Sequence, residues 1–90
     1  MSYRLLLHKN VTHFLEKCPA KQRLQLKQKL ELLKQNPHPN KQLDIKVMQG
    51  YECTYRLRVG QYRLIYQIKQ SELIVFVLKA GGRGDIYKDM

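Results

Sequence analysis

Acidic residues are scarce in this chain: seven Asp and Glu stand against seventeen Lys and Arg among 90 residues, for a formal charge of +10. The acids are scattered and form no pair of the kind that hydrolytic acid–base catalysis uses. Cysteine is equally sparse. Cys18 and Cys53 have no CxxC partner and no paired histidines nearby, and the chain has no HExxH and no Asp/Glu cluster at metal-ligand spacing. Both thiols are read as reduced packing or bystander groups, and neither a metal site nor a cofactor is expected. The run Gly81-Gly82-Arg83-Gly84 lacks the lysine and the following helix of a nucleotide cradle. No stretch approaches the roughly 20 apolar residues that cross a bilayer, and Met-Ser-Tyr-Arg at the start is not followed by a long apolar region with a small-residue cleavage site. A cytoplasmic protein without membrane association is expected. Internal repeats and low-complexity segments are absent as well.

What is present is positive charge, the footprint of a nucleic-acid binder, although membrane surfaces and acidic proteins also attract such a chain. Ninety residues make one small domain, 1–90, with a core that is adequate but not generous. The order of elements is legible. Tyr3 to Leu7 reads as a short strand. Asn10 can cap a helix whose Val11, Phe14, Leu15 and Cys18 form one stripe, ending near Pro19. A longer helix from about Ala20 to Gln35 sets Leu26, Leu30 and Leu33 in register, widened by Leu24 and Leu32. Its other face carries Lys21, Arg23, Lys27, Lys29 and Lys34 against Glu31, a pattern that fits ordinary solvated helix surface better than a dedicated RNA contact. Asn36-Pro37-His38-Pro39-Asn40 breaks the helix into a loop. A weak strand around Asp44 to Met48, a hairpin, a turn at Gln70-Ser71 and the apolar run Leu73 to Leu78 complete the series. The run is expected to be a central strand covered on both faces. The glycines after it allow a sharp bend and a close approach to a ligand. The fold class expected is α+β, with two helices on one face of a mainly antiparallel sheet of four to five strands.

The hairpin carries the functional signal. In Tyr55 to Tyr66, Gly60-Gln61 suits a type II′ turn, which sets Val59 opposite Tyr62, Arg58 opposite Arg63, Leu57 opposite Leu64 and Arg56 opposite Ile65. One face then carries Tyr55, Leu57, Val59, Tyr62, Leu64 and Tyr66, and the other Arg56, Arg58 and Arg63. Like charges directly across a ladder destabilise it, so the pairing of Arg58 with Arg63 points to an anion between them. Scattered arginines on a solvated face are the competing reading, at about even weight from the hairpin alone.

The short N-terminal strand, two helices, the Tyr55-Arg-Leu-Arg-Val-Gly-Gln-Tyr-Arg-Leu-Ile-Tyr66 block, the apolar strand and Gly82-Arg83 followed by Asp85-Ile-Tyr87 together resemble the RelE/ParE toxin superfamily over nearly the whole chain. Within it the chain looks more like the RelE-type mRNA interferases, with their RelE-like microbial RNase fold. The resemblance implies a type II toxin that cleaves mRNA in the ribosomal A site, inhibits translation, and needs no metal. It implies that Arg56 lines the site, Arg63 binds phosphate, Arg83 stands at the scissile phosphate, and Tyr87 takes part in the chemistry or stacks on a base. Arg58, on the same hairpin face, with Lys46 and Lys79 are the further phosphate or RNA contacts expected, with Tyr87 or either lysine as base; a solvated strand end is the competing and commoner reading of Lys79, and an aromatic anchor for the tail an equal one of Tyr87. Thr54 stands where some relatives carry an active-site lysine, and Gly82 where many carry a histidine. The partners implied are ribosome, mRNA and a cognate antitoxin, acidic, partly disordered and encoded adjacently. A ParE-like inhibitor of DNA gyrase and a noncatalytic RNA- or partner-binding module are the alternatives.

Overall fold

The computed structural model describes residues 2–82. Its elements are β1 (Arg4–Leu7), α1 (Lys9–Lys17), α2 (Ala20–Gln35), β2 (Asp44–Val47), β3 (Thr54–Val59), β4 (Tyr62–Lys69) and β5 (Ile74–Gly81), with a single 3-10 turn at Gln70–Glu72 before the last strand. The sheet has five strands in the order β1-β5-β4-β3-β2. The pairs β2–β3, β3–β4 and β4–β5 are antiparallel, and β1 joins β5 in parallel. The helices carry the chain from β1 at one edge to β2 at the other, and the antiparallel run β2–β3–β4–β5 then brings β5 back beside β1 in the same direction.

Helix α1 starts earlier than the sequence reading placed it. His8, not Asn10, is the N-cap: its Nδ1 accepts the Asn10 backbone N–H at 3.1 Å. An imidazole nitrogen does here what an Asn or Ser oxygen does elsewhere. The junction between the helices is held by Arg23, whose guanidinium donates to the carbonyls of Leu15 (3.0 Å), Glu16 (3.3 Å) and Cys18 (2.8 Å). They lie at the end of α1, where the helix ladder runs out, and the Leu15 carbonyl also accepts the Cys18 backbone N–H at 3.2 Å. Arg23 thus leaves the basic face of α2 for a structural task.

The core lies between the helices and one face of the sheet. Val11, Leu15 and Cys18 of the first stripe and Leu26, Leu30 and Leu33 of the second meet Leu57, Val59, Leu64, Tyr66, Val75 and Val77. Leu32 packs against this cluster, but Leu24 is 59% exposed. Two residues before Leu26 is about 200° around the helix, beyond the reach of the stripe. On β5, Val75 and Val77 are fully buried while Ile74, Phe76 and Leu78 are only half-buried, so the strand is sealed on one face and partly open on the other. Burial pushes the Cys18 thiol pKa up, whereas Cys53 is an exposed thiol in the β2–β3 loop.

Below the hairpin, Tyr66 anchors the loop that follows α2. Its ring stacks on Tyr55 with centroids 5.5 Å apart, and its hydroxyl donates to the carbonyl of buried Pro37 at 2.5 Å. Asn40 closes the same loop, its Oδ1 accepting from the Gln42 and Leu43 backbone and its Nδ2 donating to the Asn36 and His38 carbonyls. The loop in turn delivers the chain to β2 at the sheet edge.

Candidate anion-binding face

The expected hairpin register is present residue for residue, from Val59 opposite Tyr62 through Arg58 opposite Arg63 to Arg56 opposite Ile65. Gly60 has φ of 58° and Gln61 has no positive φ, the signature of a type II′ turn. Adding the neighbouring strands turns the hairpin face into two rows. One runs Lys46, Arg56, Ile65, Lys79 across β2, β3, β4 and β5; the other runs Asp44, Arg58, Arg63, Gly81. With strands about 4.8 Å apart, each row spans about 14 Å. Arg56, Arg58, Arg63, Lys46 and Lys79 therefore come together, on the face turned away from the helices. Arg83 and Tyr87, the other two expected site residues, lie outside the described residues.

Lys79 reaches this face through an irregularity. Between Ile65 and Tyr66 the β4–β5 register shifts, so that Ile65 pairs with Lys79 and Tyr66 with Val77, leaving Leu78 unpaired. Regular alternation would put Lys79 on the side of Val75 and Val77, in the core. The bulge rotates the end of the strand so that Ala80 packs on the core and Lys79 joins the arginines.

Electrostatically the face is unbalanced. Asp44 is the acid within the two rows, and its carboxylate reaches Arg56 Nη2 at 3.6 Å and Arg58 Nε at 3.9 Å. Both separations exceed hydrogen-bond length. Arg56 is mostly buried, its side chain 16% exposed, and its Nε is buried with no hydrogen-bond partner. Arg58 is half-exposed and, with Gly60, Gln61 and Arg63, lines an open cleft at the hairpin tip. Among the described residues Arg63 forms no ion pair, and no group of three His, Cys, Asp or Glu residues could hold a metal. Sequence reasoning missed Asp44, because its place depends on the register of β2 against β3.

Thr54, in the next row, is buried, donates to the Glu52 carbonyl at 2.7 Å and accepts from Gln67 Nε2 at 3.4 Å. It holds the loop entrance rather than presenting a group to the site.

Fold and face together define a class: a small, basic α+β protein with an arginine-lined sheet face. The family model described as "ParE toxin of type II toxin-antitoxin system, parDE" matches residues 5–87. A protein of Methanocaldococcus jannaschii named "Putative toxin RelE1" is 32% identical over 89 residues, 99% of each chain. Among solved structures, the archaeal RelE-RelB complex from Pyrococcus horikoshii OT3 contains a similar chain, with a TM-score of 0.82 and 29% identity over 94% of this chain and 99% of that one. The intact E. coli RelBE toxin-antitoxin complex contains another, with a TM-score of 0.76 and 26% identity over 93% of this chain and 99% of that one. The chain belongs to the RelE/ParE superfamily and is a RelE-type toxin of a type II toxin–antitoxin system.

Proposed function

We propose that this toxin is an endoribonuclease that cuts mRNA in the ribosomal A site without a metal cofactor. The observation that carries the reading is the pair Arg58 and Arg63, set side chain against side chain beside a cleft with too little acid to neutralise them. In the reaction the 2′-hydroxyl loses its proton and its oxygen attacks the adjacent phosphorus. The P–O5′ bond then breaks, leaving a 2′,3′-cyclic phosphate and a 5′-hydroxyl that takes up a proton. Guanidinium groups suit the pentavalent intermediate, since their paired donors match phosphate oxygens. Arg63 and Arg58 hold the phosphate, Arg56 supports them from the adjacent row, and Lys46 and Lys79 extend the positive field along the message. Following the family pattern, Arg83 stands at the scissile phosphate and Tyr87 contributes to the chemistry or to base stacking.

The partners that fit are the ribosome with its message and a cognate antitoxin. Its acidic, partly disordered segment complements a chain of charge +10. The relatives from P. horikoshii and E. coli were solved as complexes with their RelB antitoxins. A cytoplasmic location follows from such partners.

The test is to add the protein, with Arg63→Ala and Arg83→Ala, to programmed ribosomes and to the same free mRNA, mapping cuts by primer extension. Cleavage confined to the A-site codon on ribosomes, reduced at least about 100-fold by either substitution, is expected. A second reading, inhibition of DNA gyrase, is favoured by the match to the ParE family model. Intact message with blocked supercoiling would establish it.

A further inference from the structure

Asp44 has no role in the chemistry above, yet it is the acid placed among the cations. It stands directly opposite Arg58 on β2 and reaches both Arg58 and Arg56. We propose that Asp44 is a built-in competitor for the phosphate: its carboxylate holds the arginines in the free toxin, and a phosphodiester entering beside Arg63 draws Arg58 away from it. The inference rests on the phosphate-binding role given to Arg58 and Arg63 under the proposed function.

Three observations carry it. Contacts of 3.6 and 3.9 Å are ion pairs without direct hydrogen bonds, so the carboxylate attracts both guanidinium groups without saturating their donors. The Arg56 Nε stays buried and unpartnered despite the acid nearby, so Asp44 does not satisfy that guanidinium either. Arg58 borders two clefts: one contains Asp44 and Lys29, the other Arg63 and Gln61. The half-exposed side chain thus has a resting partner on one side and an anion position on the other.

The consequence is a penalty on every anion that draws on Arg58: its pair with Asp44 must be given up whether the entering group is free phosphate or a phosphodiester that accepts from Arg58 and Arg63 together.

The experiment uses two probes at low ionic strength: inorganic phosphate, followed by backbone amide shifts in β3 and β4, and a 2′-O-methyl RNA oligonucleotide, which cannot cleave itself, followed by anisotropy. Asp44→Asn keeps shape and removes charge. It is expected to bind both probes about two- to fivefold more tightly, as release of Arg58 from a half-exposed ion pair implies. The gain disappears in the Arg58→Ala background, where the competed side chain is missing. Asp44→Ser repeats the measurement should the asparagine variant fold poorly, with melting temperature as the control. Unchanged or weaker binding by a well-folded variant overturns the proposal, because Asp44 then positions the arginines or does nothing. Tighter phosphate binding combined with a wild-type protein that leaves ribosomal message intact upholds the competition and rejects the ribonuclease.

Discussion

The two faces of this sheet are built from alternate residues of the same strands, and they are balanced in opposite ways. On the helix side, Leu57, Leu64, Tyr66, Val75 and Val77 are all but fully buried, and the Tyr66 hydroxyl has its acceptor in the Pro37 carbonyl. On the other side, Arg58 faces Arg63, the Arg56 Nε has no partner, and Asp44 is shared between two guanidinium groups at more than hydrogen-bond distance. A face meant only for solvent would intersperse charges of both signs; a run of like charges opposite one another costs stability and is retained where a ligand relieves it. Under the proposed function, one backbone carries stability on its covered side and recognition on the side of the arginines, where Ile65 and Thr54 are themselves buried.

If the division is real, substitutions one residue apart on β3 and β4 have separable effects. Leu57→Ala empties a fully buried position and is expected to cost about 2–5 kcal/mol of stability in chemical denaturation, with cleavage per folded molecule unchanged. Arg63→Ala, one strand over and on the other face, is expected to do the reverse: about 100-fold less cleavage, with the denaturation midpoint shifted little. A large stability loss in Arg63→Ala, or a rate loss in folded Leu57→Ala, would show that the faces are coupled.

The hairpin was readable because two local rules agree: a Gly-X turn sets the register, and period-two alternation then sorts the side chains. The second helix was readable for a similar reason, with three leucines at turn spacing. The parts that were not readable depend on geometry between elements. Nothing in the local pattern announces that an imidazole caps α1, that Arg23 turns back to the end of α1, or that Leu24 falls off the stripe while Leu32 stays near it. Asp44 is unremarkable until β2 is aligned with β3. A four- or five-stranded mainly antiparallel sheet was expected; its one parallel pair arises because the antiparallel run from β2 to β5, begun at the far edge, ends beside β1 with β5 running the same way.

A smaller effect sharpens the contrast on the covered side. Tyr66→Phe keeps the ring stacked on Tyr55 but leaves the Pro37 carbonyl buried without its donor, for an expected loss of about 1–3 kcal/mol by denaturation. Burial, and secondarily Tyr55, raises the Tyr66 pKa well above the usual tyrosine value. A group whose folded pKa is raised contributes its full stability below the unfolded pKa, near 10, and loses it as pH climbs beyond. The wild type is therefore expected to destabilise more steeply than Tyr66→Phe above about pH 10, and parallel curves would mean the hydroxyl is better solvated than its position implies.

The smallest effect bears on the bulge. Lys79 and Lys69 both point to the open face, but Lys69 stands at the far end, opposite Ile74 and 3.9 Å from Glu72, while Lys79 completes a row with Arg56 and Lys46. If the unpaired Leu78 serves to turn Lys79 toward a nucleic-acid backbone, Lys79→Gln should weaken binding of a non-cleavable RNA several-fold and flatten the dependence of log affinity on log salt by about one unit. Lys69→Gln should change neither. The two lysines carry the same charge on the same sheet, so net charge alone predicts equal losses. A difference confined to Lys79 would locate the bound strand along the two rows, on the side of the sheet where the bulge changes which residues face out.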